Sequence, residues 1–178
     1  MDTWRTIRRG GPYYRVVAPD WADPADTSYP KQRGGRWNPA GEFGALYLNA
    51  TIQVAAANAR AQHAGRAIKL FDLRPEARPE LITFDLPVIE AVDACTRDGI
   101  AALGFPENFP YGVAWAPCQT VAHEAHVARM AGVAARSNAE ATATTSVGEE
   151  LALFEMVTVG ESGGRRRFNE WYPDPIPG

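Results

Sequence analysis

The stretch with the most chemical potential is a loop at residues 33–41, which reads RGGRWNPAG. Its paired glycines let the backbone turn tightly and expose N–H groups, and its proline and final glycine fix a second bend. Between the bends, Arg36 is a fixed cation with a planar fork of five donors, and Asn38 is a neutral donor and acceptor. Trp37 is an apolar plate that can anchor the loop in a core or stack on a ligand. These residue types fit a loop that holds an anion or a nucleotide, and they fit equally a glycine- and proline-rich hairpin turn with an exposed arginine.

Other motifs in the sequence carry weaker signals. The chain has no GxxxxGK[ST] phosphate loop, no GxGxxG and no GxSxG. His123 and His126 lie three residues apart, whereas a zincin helix needs a spacing of four, so we expect an exposed polar helix face and no metal site. Cys95 and Cys118 form neither a CxxC motif nor a disulfide framework, and we expect Cys118 to be a structural thiol.

Composition indicates one globular domain. The chain has 178 residues, of which 46% are hydrophobic and 22% charged, which is ordinary for a soluble protein with a substantial core. A net charge of −3 gives no overall attraction to nucleic acid or to anionic membranes, so we expect direct contact with neither. We expect neither a signal peptide nor a membrane-spanning segment, and the cysteine usage fits a reducing cytoplasm.

Two short strands are predicted to flank the loop. Alternation in residues 13–18 puts Tyr13, Arg15 and Val17 on one face of the first strand. An arginine inside such a strand must reach solvent or have an anionic partner. Residues 19–35 contain three prolines and are predicted to be a long loop. The second strand, 45–48, follows the glycine-rich loop directly.

The remaining pattern predicts an α+β fold, a single compact domain with mixed or antiparallel sheets and flanking helices. Helices are expected at 51–64, capped by Asn49 or Thr51, at 96–103 and at 118–131. Further strands are expected at 66–73, 81–84, 133–135 and 151–159. We expect residues 1–12 to be a loose lead-in, 13–160 to be the domain, and 161–178 to be a basic, proline-rich tail.

The order of the signals is more specific than any one of them. YRVV at 14–17 is followed by GGRWNPAG at 34–41, by LYL at 46–48 and, late in the chain, by Arg136-Ser137. This order resembles the RES domain, the toxin half of bacterial RES–Xre toxin–antitoxin pairs, over roughly residues 13–157. Gln119 also stands where such domains often have a glutamine before the Arg-Ser segment.

The resemblance implies a fold similar to ADP-ribosyltransferases and NAD as the substrate. Members of the family break the bond between nicotinamide and ribose, and phosphate, water or a protein side chain then accepts the ADP-ribose. Loss of NAD, or modification of a target, arrests growth. The resemblance also implies a cytoplasmic protein that pairs with an Xre-type helix-turn-helix antitoxin, and it leaves self-association open.

The resemblance assigns roles to individual residues. Arg15 and Arg36 would hold the pyrophosphate, Tyr47 would stack on nicotinamide, and Ser137 would hydrogen-bond the nicotinamide amide or its ribose. The nucleotide-binding set is Arg15, Gly35, Arg36, Trp37, Asn38, Tyr47, Gln119 and Ser137, and the catalytic set is Arg36, Tyr47, Asn58 and Ser137. Without the family, Arg15 could form a surface ion pair, Tyr47 could be a core aromatic residue, and Ser137 could serve a turn or a cap.

One position departs from the family pattern. The glutamate for which the family is partly named would fall at Asn58, which keeps a hydrogen bond but supplies no negative charge. Losing such a contact commonly costs on the order of 10²–10³ in rate. Two hypotheses follow: an NAD-consuming enzyme, or a catalytically weakened RES fold that binds NAD or a partner protein. Glu42, in the glycine-rich loop, is a candidate substitute for the missing carboxylate.

Overall fold

Six strands form one mixed sheet in the part of the chain that the computed structural model describes, which is residues 4–139, 141–142, 144–145 and 148–171. The sheet order is β1-β2-β5-β4-β3-β6, and an additional pairing of β1 with β3 closes five of the strands into a ring. The strands β3 and β4 run parallel, and the other paired strands run antiparallel. The strands are β1 Thr6–Val17, β2 Ala45–Asn49, β3 Glu80–Ala94, β4 Gly132–Arg136, β5 Glu149–Phe154 and β6 Gly160–Arg167.

Helices flank this sheet. The first leads into the glycine-rich loop, and a side chain of the fourth donates a hydrogen bond to that loop. The helices are α1 Ser28–Arg33, α2 Ile52–His63, α3 Arg97–Ala102, α4 Trp115–Val127 and α5 Phe168–Trp171. The Thr51 hydroxyl accepts a hydrogen bond from the Val54 N–H (3.2 Å) and so caps α2. The buried face of α2 consists almost wholly of alanines, and such small side chains let a helix lie close to its sheet.

The strand β2 has core on both faces, which fixes its side chains firmly. Ala45 and Tyr47 belong with the aromatic and alanine cluster beneath α4, whereas Leu46 and Leu48 belong with the cluster beneath β1 and β3. This alternation follows from the period of two along a strand. A residue of β2 is therefore a rigid platform for a ligand.

The predicted α+β class is confirmed, with helices and one mixed sheet in a single domain. Strand 45–48 is found as β2, helix 51–64 as α2, helix 96–103 as α3 and strand 133–135 as β4. The expected alternation in β1 is also present, because Tyr13, Arg15 and Val17 are buried.

The chain termini differ most from the sequence predictions. Residues 6–12, expected to be a loose lead-in, pair with β3 from Thr6↔Val92 onward. Residues 161–167, expected to belong to a tail, form nearly all of β6 on the other edge of β3, where Arg165 and Arg167 lie 3.7 and 3.6 Å from the Glu80 carboxylate. Both segments are polar and glycine-rich, so pairing with a long partner strand, rather than their own β propensity, makes them strands. The expected tail beyond residue 171 lies outside the described residues.

The middle of the chain also differs in places. Residues 66–73 were expected to form a strand but contain a 3₁₀ turn at Leu70–Asp72, and the long loop at 19–35 contains α1. The helix α4 begins at Trp115, three residues before the expected start, with Pro117 still in its first turn. The helices of the described residues include none with the length and apolar character that crossing a membrane requires.

Candidate active site

A cavity of about 530 Å³ lies between β1, β2, β5 and α2. Its volume is within the range of small-molecule binding sites, about 300–1,000 Å³. Arg15 contributes a cation to its wall and Glu150 a carboxylate, and three aromatic residues and three side-chain amides complete the recognition groups. The aromatic residues are Trp21, Tyr29 and Tyr47, and the amides are Asn49, Asn58 and Gln62.

Arg15 is a buried cation at one side of the cavity. Only 8% of the residue is exposed; its guanidinium donates to the Pro24 carbonyl and lies 5.0 Å from the centre of the Trp21 ring. Burial lowers the pKa of Arg15 to about 10, against the opposing charges of Asp26 and Asp23, so the side chain stays charged at neutral pH. No carboxylate of the described residues forms an ion pair with it. A buried charge whose nearest carboxylates lie beyond ion-pair distance is costly, and a bound anion would relieve that cost.

Tyr47 presents its ring to the cavity while its hydroxyl is held from behind. The hydroxyl donates to Asn38 Oδ1 (2.7 Å) and accepts from the Trp37 N–H (3.0 Å). Burial raises the pKa of Tyr47, so the phenol is neutral. A fixed, uncharged ring at a cavity wall suits stacking on a flat heterocycle.

The glycine-rich loop supports Tyr47 from behind the cavity. Asn38 is fully buried, and its amide donates to the carbonyls of Pro30 (2.7 Å) and Phe43 (3.3 Å). The Trp37 ring is 3% exposed and packs against two phenylalanines, Phe105 and Phe109. Of the two roles open to Trp37, the structure shows the anchor in the core.

Two further residues of the predicted site also act on the loop. The Gln119 side chain, from α4, donates to the Gly35 carbonyl (2.8 Å) and ties the loop to that helix. The Arg36 guanidinium donates to the Val113 carbonyl (3.1 Å) and lies 3.8 Å from Cys118 Sγ. Arg36 is not among the residues that line the cavity. Burial raises the pKa of Cys118, which fits the expected structural thiol.

A polar cluster forms the wall at the ends of β2 and β5. The Asn58 amide donates to Asn49 Oδ1 (2.6 Å) and to Glu150 Oε1 (2.8 Å). The Ser137 hydroxyl donates to the same Glu150 oxygen (2.7 Å) and also accepts from the Ala139 N–H (3.2 Å). Ser137 is 1% exposed, so it supports the carboxylate and closes a local turn at the same time.

The structure thus divides the predicted site residues into two groups. Arg15, Tyr47 and Asn58 line one cavity, and Ser137 reaches its wall through Glu150. The other predicted residues, which form the support behind Tyr47, are Gly35, Arg36, Trp37, Asn38 and Gln119. Glu42 is no substitute for the missing carboxylate: it lies outside the cavity lining, where its side chain meets His123 Nδ1 at 2.6 Å.

Sequence reasoning missed Glu150, Asn49 and Trp21. The last expected strand begins at residue 151, two residues after the start of β5 at Glu149, because the apolar run begins there. A predicted strand that began one residue earlier would have included Glu150, the acidic residue next to a buried leucine. Alternation of faces along the strand would then have singled out Glu150.

Replacing Gly35 by alanine tests the support behind Tyr47. A Cβ at this position would overlap the Tyr47 hydroxyl and lie 2.8 Å from Asn38 Oδ1, and both groups are fixed by hydrogen bonds. We expect Gly35→Ala to lower the free energy of unfolding by about 1–3 kcal/mol in urea denaturation. Gly164 has nothing within 4 Å of its Cβ position, so Gly164→Ala is the control and should change stability by less than about 0.5 kcal/mol. Equal effects of the two substitutions would contradict the packing described.

The family follows from a direct match. A family model described as the RES domain matches residues 12–163, which is most of the chain. The chain belongs to the RES family. The resemblance drawn from the loop, β2 and the Arg-Ser segment is therefore confirmed, and the matched range of this RES chain contains every residue of the predicted site.

Curated relatives of the RES chain are proteins named NAD(+) phosphorylase MbcT. Those of Mycobacterium bovis and of Mycobacterium tuberculosis are each 33% identical to it over 100 residues, which is 56% of this chain and 53% of the relative. The RES chain thus spans about half the length of the curated relatives it matches. A solved structure, the M. tuberculosis MbcT–MbcA toxin–antitoxin complex, matches with a TM-score of 0.76 at 23% identity. The match covers 93% of this chain and 89% of that chain, and it shows a shared fold.

Proposed function

We propose that this RES chain is a cytoplasmic enzyme that consumes NAD by cleaving the bond between nicotinamide and ribose. Membership of the RES family supports the proposal, and so does the name of its mycobacterial relatives, NAD(+) phosphorylase. That name also favours phosphate as the acceptor over water or a protein side chain.

The observation that carries the proposal is the charge pattern of the cavity. Buried Arg15 lacks a carboxylate partner among the described residues, and Glu150 lines the same cavity with a negative charge. NAD has a matching pattern, because its pyrophosphate is anionic and its nicotinamide ring is cationic. Arginine binds phosphate oxygens through two parallel hydrogen bonds, and the Tyr47 ring offers a flat surface for the nicotinamide.

The assignment is tested by following NAD and its products with the purified chain. With inorganic phosphate present, we expect nicotinamide and ADP-ribose phosphate to appear in equal amounts, as separated by chromatography and identified by mass. Without phosphate, turnover should fall if phosphate is the acceptor and persist, with ADP-ribose as product, if water is. Unchanged NAD in both conditions would refute the enzyme and leave the second hypothesis of a binding module, for which NAD affinity is the test.

We further propose that the enzyme is the toxin of a toxin–antitoxin pair, inhibited by an Xre-type helix-turn-helix protein that covers the cavity. The fold it shares with the toxin–antitoxin complex supports this pairing. Growth should stop and cellular NAD should fall when the chain is expressed alone, and co-expression of such a protein encoded beside it should restore both. Growth arrest with unchanged NAD would exclude this mode of toxicity.

A further inference from the structure

Glu150 is the one carboxylate among the described residues that line the cavity. Ser137 and Asn58 both donate to its Oε1 atom, at 2.7 and 2.8 Å. No residue in the described part of the chain donates a hydrogen bond to its Oε2 atom. The carboxylate is thus fixed through one oxygen, and its second oxygen remains available to a ligand.

The sheet register holds Glu150 in place from both sides. Tyr14 of β1 pairs with Asn49 of β2, Asn49 pairs with Glu150 of β5, and Glu150 pairs with Ala135 of β4. One row of residues therefore crosses four adjacent strands and ends the cavity wall. Within this row the Asn49 amide also donates to the Tyr14 carbonyl (2.9 Å), which orients its oxygen toward Asn58.

We propose that Glu150, from β5, supplies the negative charge that Asn58, on α2, lacks, and that it stabilises the ribosyl cation during NAD cleavage. This inference rests on the proposed function. The Asn58 amide then holds the Glu150 carboxylate in place through a hydrogen bond and does not itself replace the missing charge. The two hydrogen bonds at Oε1 prevent Glu150 from turning away, and this pre-organisation is what makes a fixed charge effective in a transition state.

The reaction step balances without any redox partner. The bond between ribose C1 and the nicotinamide nitrogen breaks, and its electron pair leaves with nicotinamide, which becomes neutral. The positive charge passes to C1 and the ring oxygen of the ribose, beside the Glu150 carboxylate. A phosphate oxygen then donates an electron pair to form the new C1–O bond.

Removing the charge while keeping the shape is the first part of the test. We expect Glu150→Gln to lower kcat on the order of 10²–10³-fold while the Kd for NAD rises by no more than about tenfold, because the carboxylate attracts the cationic nicotinamide before cleavage but meets the ribosyl cation only in the transition state. Glu149→Gln is the matched control. Glu149 neighbours Glu150 on β5 but faces the opposite side, where it pairs with Arg9 at 2.6 Å, so kcat should stay within about threefold of wild type.

Exchanging the two side chains is the second part. Asn58→Glu alone places two carboxylates across a 2.8 Å contact and should lower turnover rather than raise it. In the double variant Asn58→Glu/Glu150→Gln, the amide and the carboxylate trade places across the same hydrogen bond. We expect this variant to regain at least about tenfold in kcat over Glu150→Gln. A purely structural role for Glu150 would not predict such recovery.

The outcomes separate the inference from the proposed function. If the Glu150→Gln variant keeps the turnover of the wild type, or if Asn58→Glu alone raises turnover, the proposed role of Glu150 is overturned. The proposal that the chain cleaves NAD is unaffected by either result. Absence of wild-type turnover overturns both. Loss in Glu150→Gln with recovery in the double variant, at equal melting temperature, supports the inference.

Discussion

Replacing Arg15 by methionine is expected to weaken ADP-ribose binding on the order of 10²-fold without lowering the stability of the fold. Arg15 is the buried cation of the cavity, and a charged, two-point contact with pyrophosphate is worth about 1.5–3 kcal/mol per hydrogen bond. Methionine keeps most of the apolar stem but offers no donor. Isothermal titration with ADP-ribose, which cannot be cleaved at the nicotinamide bond, measures the loss directly.

The stability half of this prediction follows from the pKa of Arg15. Burial lowers that pKa to about 10, which means that the folded state disfavours the cation by about 3 kcal/mol relative to the unfolded chain. Because the folded pKa is the lower one, this penalty applies in full at neutral pH and diminishes only as pH rises through about 10. Methionine removes the penalty but also the bond to the Pro24 carbonyl, so we expect unfolding free energy to stay equal or to rise by up to about 2 kcal/mol.

The control lies on the same strand. Arg8 belongs to β1 but is exposed, and Arg8→Met should leave ADP-ribose binding within about twofold of wild type. Marked destabilisation by Arg15→Met would show that this arginine stabilises the fold and is not reserved for binding an anion. Equal binding by both variants would place the pyrophosphate elsewhere.

Replacing Asn38 by alanine should cost about 3–5 kcal/mol of unfolding free energy, a large part of the 5–15 kcal/mol typical of a domain. The substitution leaves the buried Phe43 carbonyl without its partner. It also removes one of two hydrogen bonds from the Pro30 carbonyl, which keeps the Gly34 N–H, and one of two from the Tyr47 hydroxyl, which keeps the Trp37 N–H. An unsatisfied buried group costs about 1–3 kcal/mol, and each further lost hydrogen bond costs about 0.5–1.5 kcal/mol. Urea denaturation with an unchanged m-value provides the measurement.

A double-mutant cycle measures the part of that cost that comes from the hydrogen bond between Asn38 and Tyr47. Tyr47→Phe alone removes the hydroxyl and should cost about 1–2 kcal/mol. Combined with Asn38→Ala it should cost less than the sum, by about 1 kcal/mol, because the bond at 2.7 Å can be lost only once. Strict additivity would mean that the loop and the ring are independent.

The loop shows how far residue types carry a site prediction. Arg36, Trp37 and Asn38 have the chemistry of ligand binding, and the sequence placed them correctly between two bends. Their side chains nevertheless turn into the protein: Asn38 is fully buried, and Trp37 is 3% exposed. Residue type and spacing do not fix that direction, because it depends on Phe105 and Phe109, which lie about seventy residues away in the chain.

Strand alternation carried the prediction further. It placed Arg15 on the same face as Tyr13 and Val17, and burial of all three is what the structure shows. Glu150 was missed because the predicted strand began at the apolar run that follows it, and because its place in the site depends on pairing with Asn49 and Ala135 on other strands. The polar strand β6 was also missed, because its own residues have little β propensity and pairing with β3 makes the segment a strand.

The most direct measurement of the central claim is nicotinamide release from NAD by the wild-type chain, Arg15→Met and Arg8→Met at equal concentrations of folded protein. If NAD binds in the cavity beside Arg15, the wild type and Arg8→Met should release nicotinamide in a phosphate-dependent way. The kcat/KM of Arg15→Met should be lower on the order of 10²-fold. Release that is equal in all three proteins would move the chemistry away from this cavity. No release by any of them would contradict the proposal that this RES chain cleaves NAD.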